Sequence, residues 1–383
     1  MKILFIDQSG QPGGAELCLM DIARPYRDRC LVALLVDGPF KDLLEQQQIP
    51  VQVLAQQSIE IRKDSSLWLA LSRIPALLPL LGQVVKLARQ FDVIYANTPK
   101  ALVVGAIASL ITRRPLVYHL HDILSASHFS HTNRQIAVTL ANRATLVIAN
   151  SHATQAAFIE AGGRPELTRI LYNGFQPDNY LIPLHEQEAL AKELDLNRDT
   201  FWVGHFSRLS HWKGQHILLD ALALCPEEIS ALFVGDALFG EADYVQHLQA
   251  KVKDLGLENR VRFLGFRNDV PQMMSLCHLI THTSTAPEPF GRVIVEAMLC
   301  GRPVIAANAG GATELINSGQ TGWLCESNAP QQLADQIIFC HQHPEQSQVI
   351  AKAAQQKASQ DFNLSVVNQQ LAQILQPLSS EPT

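Results

Sequence analysis

No C-x-x-C pair occurs in the chain. Its seven cysteines, at 18, 30, 225, 277, 300, 325 and 340, are odd in number and widely scattered. That excludes a disulfide framework and predicts reduced, mostly buried thiols of a cytoplasmic protein. G-x-G-x-x-G followed by an acidic residue about twenty positions on is also missing, which argues against an NAD-dependent oxidoreductase. No His/Cys/Asp group has metal-ligand spacing in the sequence. There is no internal repeat, no low-complexity tract and nothing that resembles a nucleic-acid module. No secretory leader is expected, because Lys2 runs straight into the apolar ILFI that ends at Asp7. The long apolar segment Leu67–Ala88 is broken by Arg73, Pro75, Pro79 and Lys86 and makes a poor membrane span. A helix under a sheet is its favoured reading, and an interfacial helix pair is the second.

What is present is ample apolar residue. At 383 residues and 47% hydrophobic content, the chain exceeds one ordinary core and predicts two α/β domains. Net charge is −6 and unevenly spread. Residues 1–180 hold 17 Lys+Arg against 14 Asp+Glu, and the remainder 13 against 22. The basic first half suits an anionic membrane surface or acceptor, although so small an imbalance also arises by coincidence.

Short apolar runs punctuate the first half, and polar residues recur just past their ends, on the edge where an open α/β sheet binds ligands. Lys2–Asp7 is followed by Gly13-Gly14-Ala15-Glu16 and a helix, an arrangement that can hold phosphate or form a mere tight turn. Pro115–Leu120 ends in His121-Asp122, and Ile170–Tyr172 ends in Asn173-Gly174. Of the two histidines, His121 is the better candidate, with His119 read as facing the opposite side of the sheet. Residues 179–199 form a polar linker between domains at 1–178 and 200–361. The second half opens with a strand, Phe201–Phe206, then Ser207-Arg208-Leu209-Ser210-His211-Trp212-Lys213-Gly214. Two cations five residues apart on such a loop can clamp both phosphates of a nucleoside diphosphate.

The most informative stretch is Ala286–Ile316, APEPFGRVIVEAMLCGRPVIAANAGGATELI. Pro287 and Pro289 forbid a helix before an exposed Phe290-Gly291. Helical spacing then runs to Gly301, a C′ glycine, and Val304–Ala307 reads as a buried strand before Gly310-Gly311. The amides of Phe290 and Gly291 would meet a ligand at a helix N-terminus. Glu288 and Glu296 would stand roughly 12 Å apart along a helix. Glycosidases need about 5–9.5 Å between their carboxylates. The pair therefore suits the two ends of one long ligand better than hydrolysis.

E-P-F-G-R-V-x-x-E-A-M-x-x-G-x-P-V-I-A, with the trailing G-G-x-x-E-L-I and G-x-T-G-W-L, resembles the retaining GT-B glycosyltransferases of family 4. Ser207–Gly214 resembles that family's G-R-L-x-x-x-K-G element, with Ser207 in place of its first glycine. The resemblance is strong across the second half and scattered in the first. It implies two Rossmann-like, doubly wound domains facing each other across a cleft, with a C-terminal helix near 362–376 crossing back to the first. It implies hexosyl transfer with retention from a UDP- or GDP-linked sugar to an acceptor hydroxyl, in polysaccharide, glycolipid or cell-envelope glycan synthesis. The acceptor, a sugar or lipid-linked glycan, would bring possible peripheral membrane contact through the first domain.

Site roles follow from the same resemblance. Glu288 would bind sugar hydroxyls and stabilise charge developing on the ring, while Arg208 and Lys213 would neutralise the departing diphosphate. The amides of Phe290 and Gly291 would orient the sugar, Glu296 would hold the ribose, and Arg292 and Val293 would be among the substrate-binding residues. Arg267 would border the base. His121 would lie beside the sugar ring; Gly13, Gly14 and Asn173 would complete the site. D-x-D, the metal signature of the other large glycosyltransferase fold, is absent, so neither metal nor cofactor is expected. A sugar-nucleotide epimerase of like architecture would lack the F-G-R-V-x-x-E-A-M context. A non-catalytic sugar-nucleotide-binding protein would be expected to lose Arg208, Lys213 or Glu288.

Overall fold

A computed structural model describes residues 1–54, 74–125, 129–197, 199–237 and 241–379. The chain divides into two compact units. One comprises Met1–Gly174 and the residues from Leu364 onward, and the other Phe175–Asn363.

Among the described residues, the first unit holds a seven-stranded parallel sheet. Its strands are β1 (Ile3–Asp7), β2 (Cys30–Leu34), β3 (Val51–Val53), β4 (Val93–Ala96), β5 (Leu116–Leu120), β6 (Leu146–Ala149) and β7 (Thr168–Ile170), in the order β3-β2-β1-β4-β5-β6-β7. The continuous apolar runs are explained by burial on both faces. Leu4 and Ile6 belong to one core, with Ile94, Tyr118 and Val147. Ile3 and Phe5 belong to the other, with Tyr95, Val117 and Ile148. Each fully buried Leu, Ile or Phe contributes about 1.5–3 kcal/mol relative to exposure. The helix Gly14–Ala23 and the final helix Leu364–Leu375 cover the second face through Cys18, Leu19, Val367 and Leu371.

The second unit holds β8 (Phe201–Phe206), β9 (Ile229–Val234), β10 (Val261–Phe263), β11 (Leu279–His282), β12 (Val304–Ala307) and β13 (Trp323–Cys325), all parallel, in the order β10-β9-β8-β11-β12-β13. In both sheets the order reverses direction beside the first strand. The switch points fall between β1 and β4 and between β8 and β11, where doubly wound sheets open a crevice beyond the strand ends.

Several sequence expectations change. The polar segment 179–199, expected to carry a charged helix around 185–194, holds the helix Leu184–Glu193 and groups with the second unit, which begins at Phe175. Among the described residues three α-helices follow β13, and Pro344 starts the second of them, Pro344–Asp361. The apolar segment 67–88 lies partly outside the described residues. Its described part is the helix Ile74–Ala88, which buries Leu80, Val84 and Ala88 in the first unit's core. No described helix is long and apolar enough to cross a membrane.

Candidate active site

The second unit's switch point brings two loops together. After β8 the chain runs through Ser207 and Arg208 to a 3-10 turn, His211–Lys213, and reverses at Gly214 with φ +72°. A Cβ on Gly214 would lie 1.9 Å from the Thr283 carbonyl oxygen. Only glycine lets these loops approach so closely. From β11, His282, Ser284 and Glu288 enter the same space.

Lys213 Nζ donates to both Glu288 oxygens, 2.9 Å from Oε1 and 2.8 Å from Oε2. Ser284 Oγ donates to Oε2 at 3.0 Å, and His282 Nε2 lies 3.2 Å from that oxygen. Lys213 Nζ also sits 4.0 Å from the centre of the Trp212 ring. Burial by itself would raise the Glu288 carboxyl, but the Lys213 charge and the His282 hydrogen bond hold it well below the usual range. The outcome is an anchored carboxylate. Its Oε2 carries three of these contacts, and its Oε1 keeps lone-pair capacity for a hydroxyl donor. His282 and Ser284 were not singled out in the sequence, although polar residues at a strand's carboxyl end were the available signal.

Arg208 is half-buried on the same loop. Its carbonyl accepts from Gln215 Nε2 at 2.8 Å and from Ser207 Oγ at 3.0 Å. Ser207 Oγ, where the family pattern has glycine, also accepts from Gln215 Nε2 at 2.9 Å and so ties the loop to the following helix. Downstream, Gly291 caps the helix Arg292–Leu299. Gly301 ends it in a Schellman motif: Arg302 N–H reaches Ala297 O at 3.0 Å and Gly301 N–H reaches Met298 O at 2.9 Å. Arg292 Nη2 lies 3.6 Å from Glu296 Oε1, and its guanidinium stands 4.5 Å from the Phe175 ring centre. Burial raises the Glu296 carboxyl, and the Arg292 charge opposes that shift.

The expectation of an exposed Phe290 is corrected: its side chain is 2% exposed. It stacks on Phe175 at 6.4 Å and meets Phe362 edge-on at 5.8 Å. The ligand contact expected at this position was the backbone amide, and the ring places its apolar area in packing. Val293 is partly buried on the first helical turn. Gly310-Gly311 packs against the Glu288 loop, with Gly311 N–H donating to Glu288 O at 2.7 Å. Arg267 follows β10 and is held by Asp269, with its Nε 2.7 Å from Oδ1. The pairing raises Arg267 and lowers Asp269.

The first unit's switch point carries its own polar cluster. Asn97, just past β4, donates through Nδ2 to Asp7 Oδ2 at 2.6 Å and to Ala15 O at 3.1 Å. The amide orientation is thereby fixed, and Oδ1 faces His121 Nε2 at 2.9 Å. His121 Nε2 must therefore carry the proton. Glu16, three residues beyond the N-cap Gly13, turns back onto it as the acidic half of a capping box. A Cβ on Gly13 would lie 2.8 Å from Glu16 Oε2. Gly14 is the first helical residue. Burial, then the charge of Asp7, pushes the Glu16 carboxyl up to about 8. Burial also raises Asp7 and Asp122, each to about 6. Asn173 is buried, and Gly174 abuts the final helix at Leu364.

The reading of His119 and His121 on opposite faces is corrected. Residues i and i+2 of a strand share a face. Their ring centres lie 4.0 Å apart, with His119 Nδ1 2.9 Å from Tyr95 Oη. Burial lowers His119 well below the ordinary imidazole value, so it is neutral. The fold also brings Cys18 beside both rings, a grouping that residues a hundred positions apart could not reveal.

Two doubly wound units, each with a polar loop cluster at its switch point, define the GT-B class of nucleotide-dependent α/β proteins. Residues 186–357 match the family Glycosyl transferases group 1, and residues 12–179 match Glycosyltransferase Family 4. The chain belongs to the family 4 glycosyltransferases of GT-B fold. It is similar to Anabaena Alr3699/HepE, solved with UDP and glucose, at 59% identity over 98% of this chain and 99% of that chain, with a TM-score of 0.92. The HepE structure with UDP-glucose gives 58% identity, 98% and 100% coverage and the same TM-score of 0.92. Spore coat protein SA of Bacillus subtilis is 31% identical over 201 residues, 49% of this chain and 52% of its own. The N-acetyl-alpha-D-glucosaminyl L-malate synthase of Bacillus anthracis is 31% identical over 179 residues, 46% of this chain and 45% of its own. The chain spans about half the length of the curated relatives it matches.

Proposed function

We propose that this chain transfers a glucosyl unit from UDP-glucose to a hydroxyl of a glycan under assembly, soluble or lipid-linked, with retention at the anomeric carbon. The observation that carries this reading is the Lys213–Glu288 pair at the second unit's switch point. The choice of UDP-glucose over a GDP-linked sugar rests on the likeness to HepE, solved with UDP-glucose.

In this reading Lys213 and Arg208 bind the diphosphate and take up the charge of the leaving group without a metal. Glu288 is held ionised by Lys213 and His282. It accepts a sugar hydroxyl at Oε1 and stabilises the positive charge that develops on the ring. Glu296, set by Arg292, accepts the ribose hydroxyls, and Arg267 borders uracil. His121, its ring oriented by Asn97, takes the position beside the sugar ring. The acceptor oxygen attacks from the face that the phosphate leaves, and a phosphate oxygen takes its proton, so the anomeric configuration is kept.

Calorimetry with UDP and with GDP, each in EDTA, tests the donor assignment. Micromolar binding of UDP and much weaker binding of GDP is expected. Preference for GDP, or no binding of UDP in EDTA, overturns it.

A further inference from the structure

We propose that Cys18, His119 and His121 form a binding site for one soft d10 cation, Zn2+ or Cu+. One ligand atom from each residue lies within 4.8 Å of the other two. Around a tetrahedral Zn2+, with bonds of about 2.3 Å to sulfur and 2.0–2.1 Å to nitrogen, such atoms stand roughly 3.3–3.6 Å apart. Ligation would draw the three atoms together by up to about 1.5 Å.

A second observation points independently to a ligand. His119 is 1% exposed, and among the described residues its Nε2 has no hydrogen-bond partner. Buried polar atoms are rarely left so, and a bound cation would satisfy this one. The outer contacts match those of metal-binding histidines, whose second nitrogen is held by a fixed partner. Tyr95 Oη holds His119 Nδ1 at 2.9 Å, which leaves Nε2 to ligate. Asn97 holds His121 Nε2 at 2.9 Å and is itself fixed by Asp7, which orients the second imidazole.

A thiolate with two imidazoles selects Zn2+ or Cu+ over the oxygen-seeking Mg2+, Ca2+ and Mn2+. Binding releases the Cys18 thiol proton to solvent and forms one metal–sulfur and two metal–nitrogen bonds, with no change of oxidation state. His121, the most exposed of the three, is the entry side. Occupancy would tie down His121, so the cation would inhibit the proposed transfer; only that consequence rests on the proposed function.

The test uses the full chain, stripped of metal and without donor or acceptor, so a failed transferase assay does not bear on it. Zn2+ is titrated against a chromophoric chelator, and Cu+ likewise under anaerobic conditions. One equivalent of at least one cation is expected to bind, with X-ray absorption showing one sulfur and two imidazole nitrogens. Cys18→Ser, checked as folded by its melting curve, should weaken binding at least about tenfold. Failure of both cations to bind, or a shell of several sulfurs, overturns the site. Equal affinity in the wild type and Cys18→Ser does so too. The wild-type absorption spectrum decides even if the variant does not fold.

Discussion

Gly310 touches the backbone of Glu288: a Cβ on Gly310 would lie 2.3 Å from Glu288 O and 2.6 Å from Glu288 N. Its φ of +62° is also a left-handed value. The second glycine-rich loop therefore buttresses the carboxylate's own loop.

Gly310→Ala is accordingly expected to lower stability by roughly 1–3 kcal/mol from backbone strain alone. It should also displace Glu288. A fall in Tm together with loss of transferase activity is the expected result. Unchanged kcat would show that the contact does not position Glu288.

Glu288→Gln and Lys213→Met each leave a buried partner exposed to an uncompensated environment. The two side chains are only 12% and 15% exposed. Each single change should destabilise by about 3 kcal/mol and lower kcat/KM about 10²–10³-fold. The double variant should recover much of the stability and none of the activity. Urea unfolding and initial rates on all four proteins separate the two effects, because a purely structural pair would lose and regain both together.

The acidic cluster of the first unit gives a pH signature. Glu16 rises from its ordinary 4.5 to about 8 in the fold. Between those values the native state binds more protons than the unfolded chain. Stability from this group is fully present below 4.5 and is lost as pH rises through about 8. Asp7 and Asp122 act in the same direction up to about 6. Glu16→Gln should flatten the decline in Tm between pH 6 and 9 (roughly the window of the Glu16 shift). An equally steep decline in that variant would remove Glu16 as the cause.

Glu288 has the opposite sign. Its carboxyl is held below the ordinary 4.5 by Lys213 and His282 against burial. It contributes stability above that value and loses it as pH falls further. Lys213→Met should therefore reduce the acid-side loss of Tm, a difference that a melting series in acetate and glycine buffers would register.

Asn97→Asp places a second carboxyl against Asp7 and removes the amide that orients His121. Destabilisation that deepens above about pH 6 is expected, since Asp7 ionises there. Comparison with Asn97→Leu distinguishes charge repulsion from the lost hydrogen bonds, because the leucine variant adds no second charge and should show a smaller pH-dependent loss than Asn97→Asp.

The sequence by itself determined most of the strands, their parallel burial and the motif loops, but the strand expected at Ile170–Tyr172 lies at Thr168–Ile170 and Trp323–Cys325 was not read as a strand. Val304–Ala307 could only be a buried strand between Pro303 and a Gly-rich loop, and Gly301 could only end a helix. It also placed Arg208, Lys213 and Glu288 on loops that follow strands. Tertiary structure decided which groups meet. Lys213 and Glu288 are separated by 75 positions, and their bidentate contact exists because β8 and β11 are neighbours in the sheet. His282 joins them for the same reason. Phe290 turned inward because Phe175 and Phe362, distant in the chain, build an aromatic packing site around it. Cys18 met His119 and His121 because one helix covers the face that both histidines share. Local propensity and periodicity act over a few residues, whereas sheet order and helix docking are settled by burial of the whole core. The elements were therefore legible in the sequence, and the contacts between them were not.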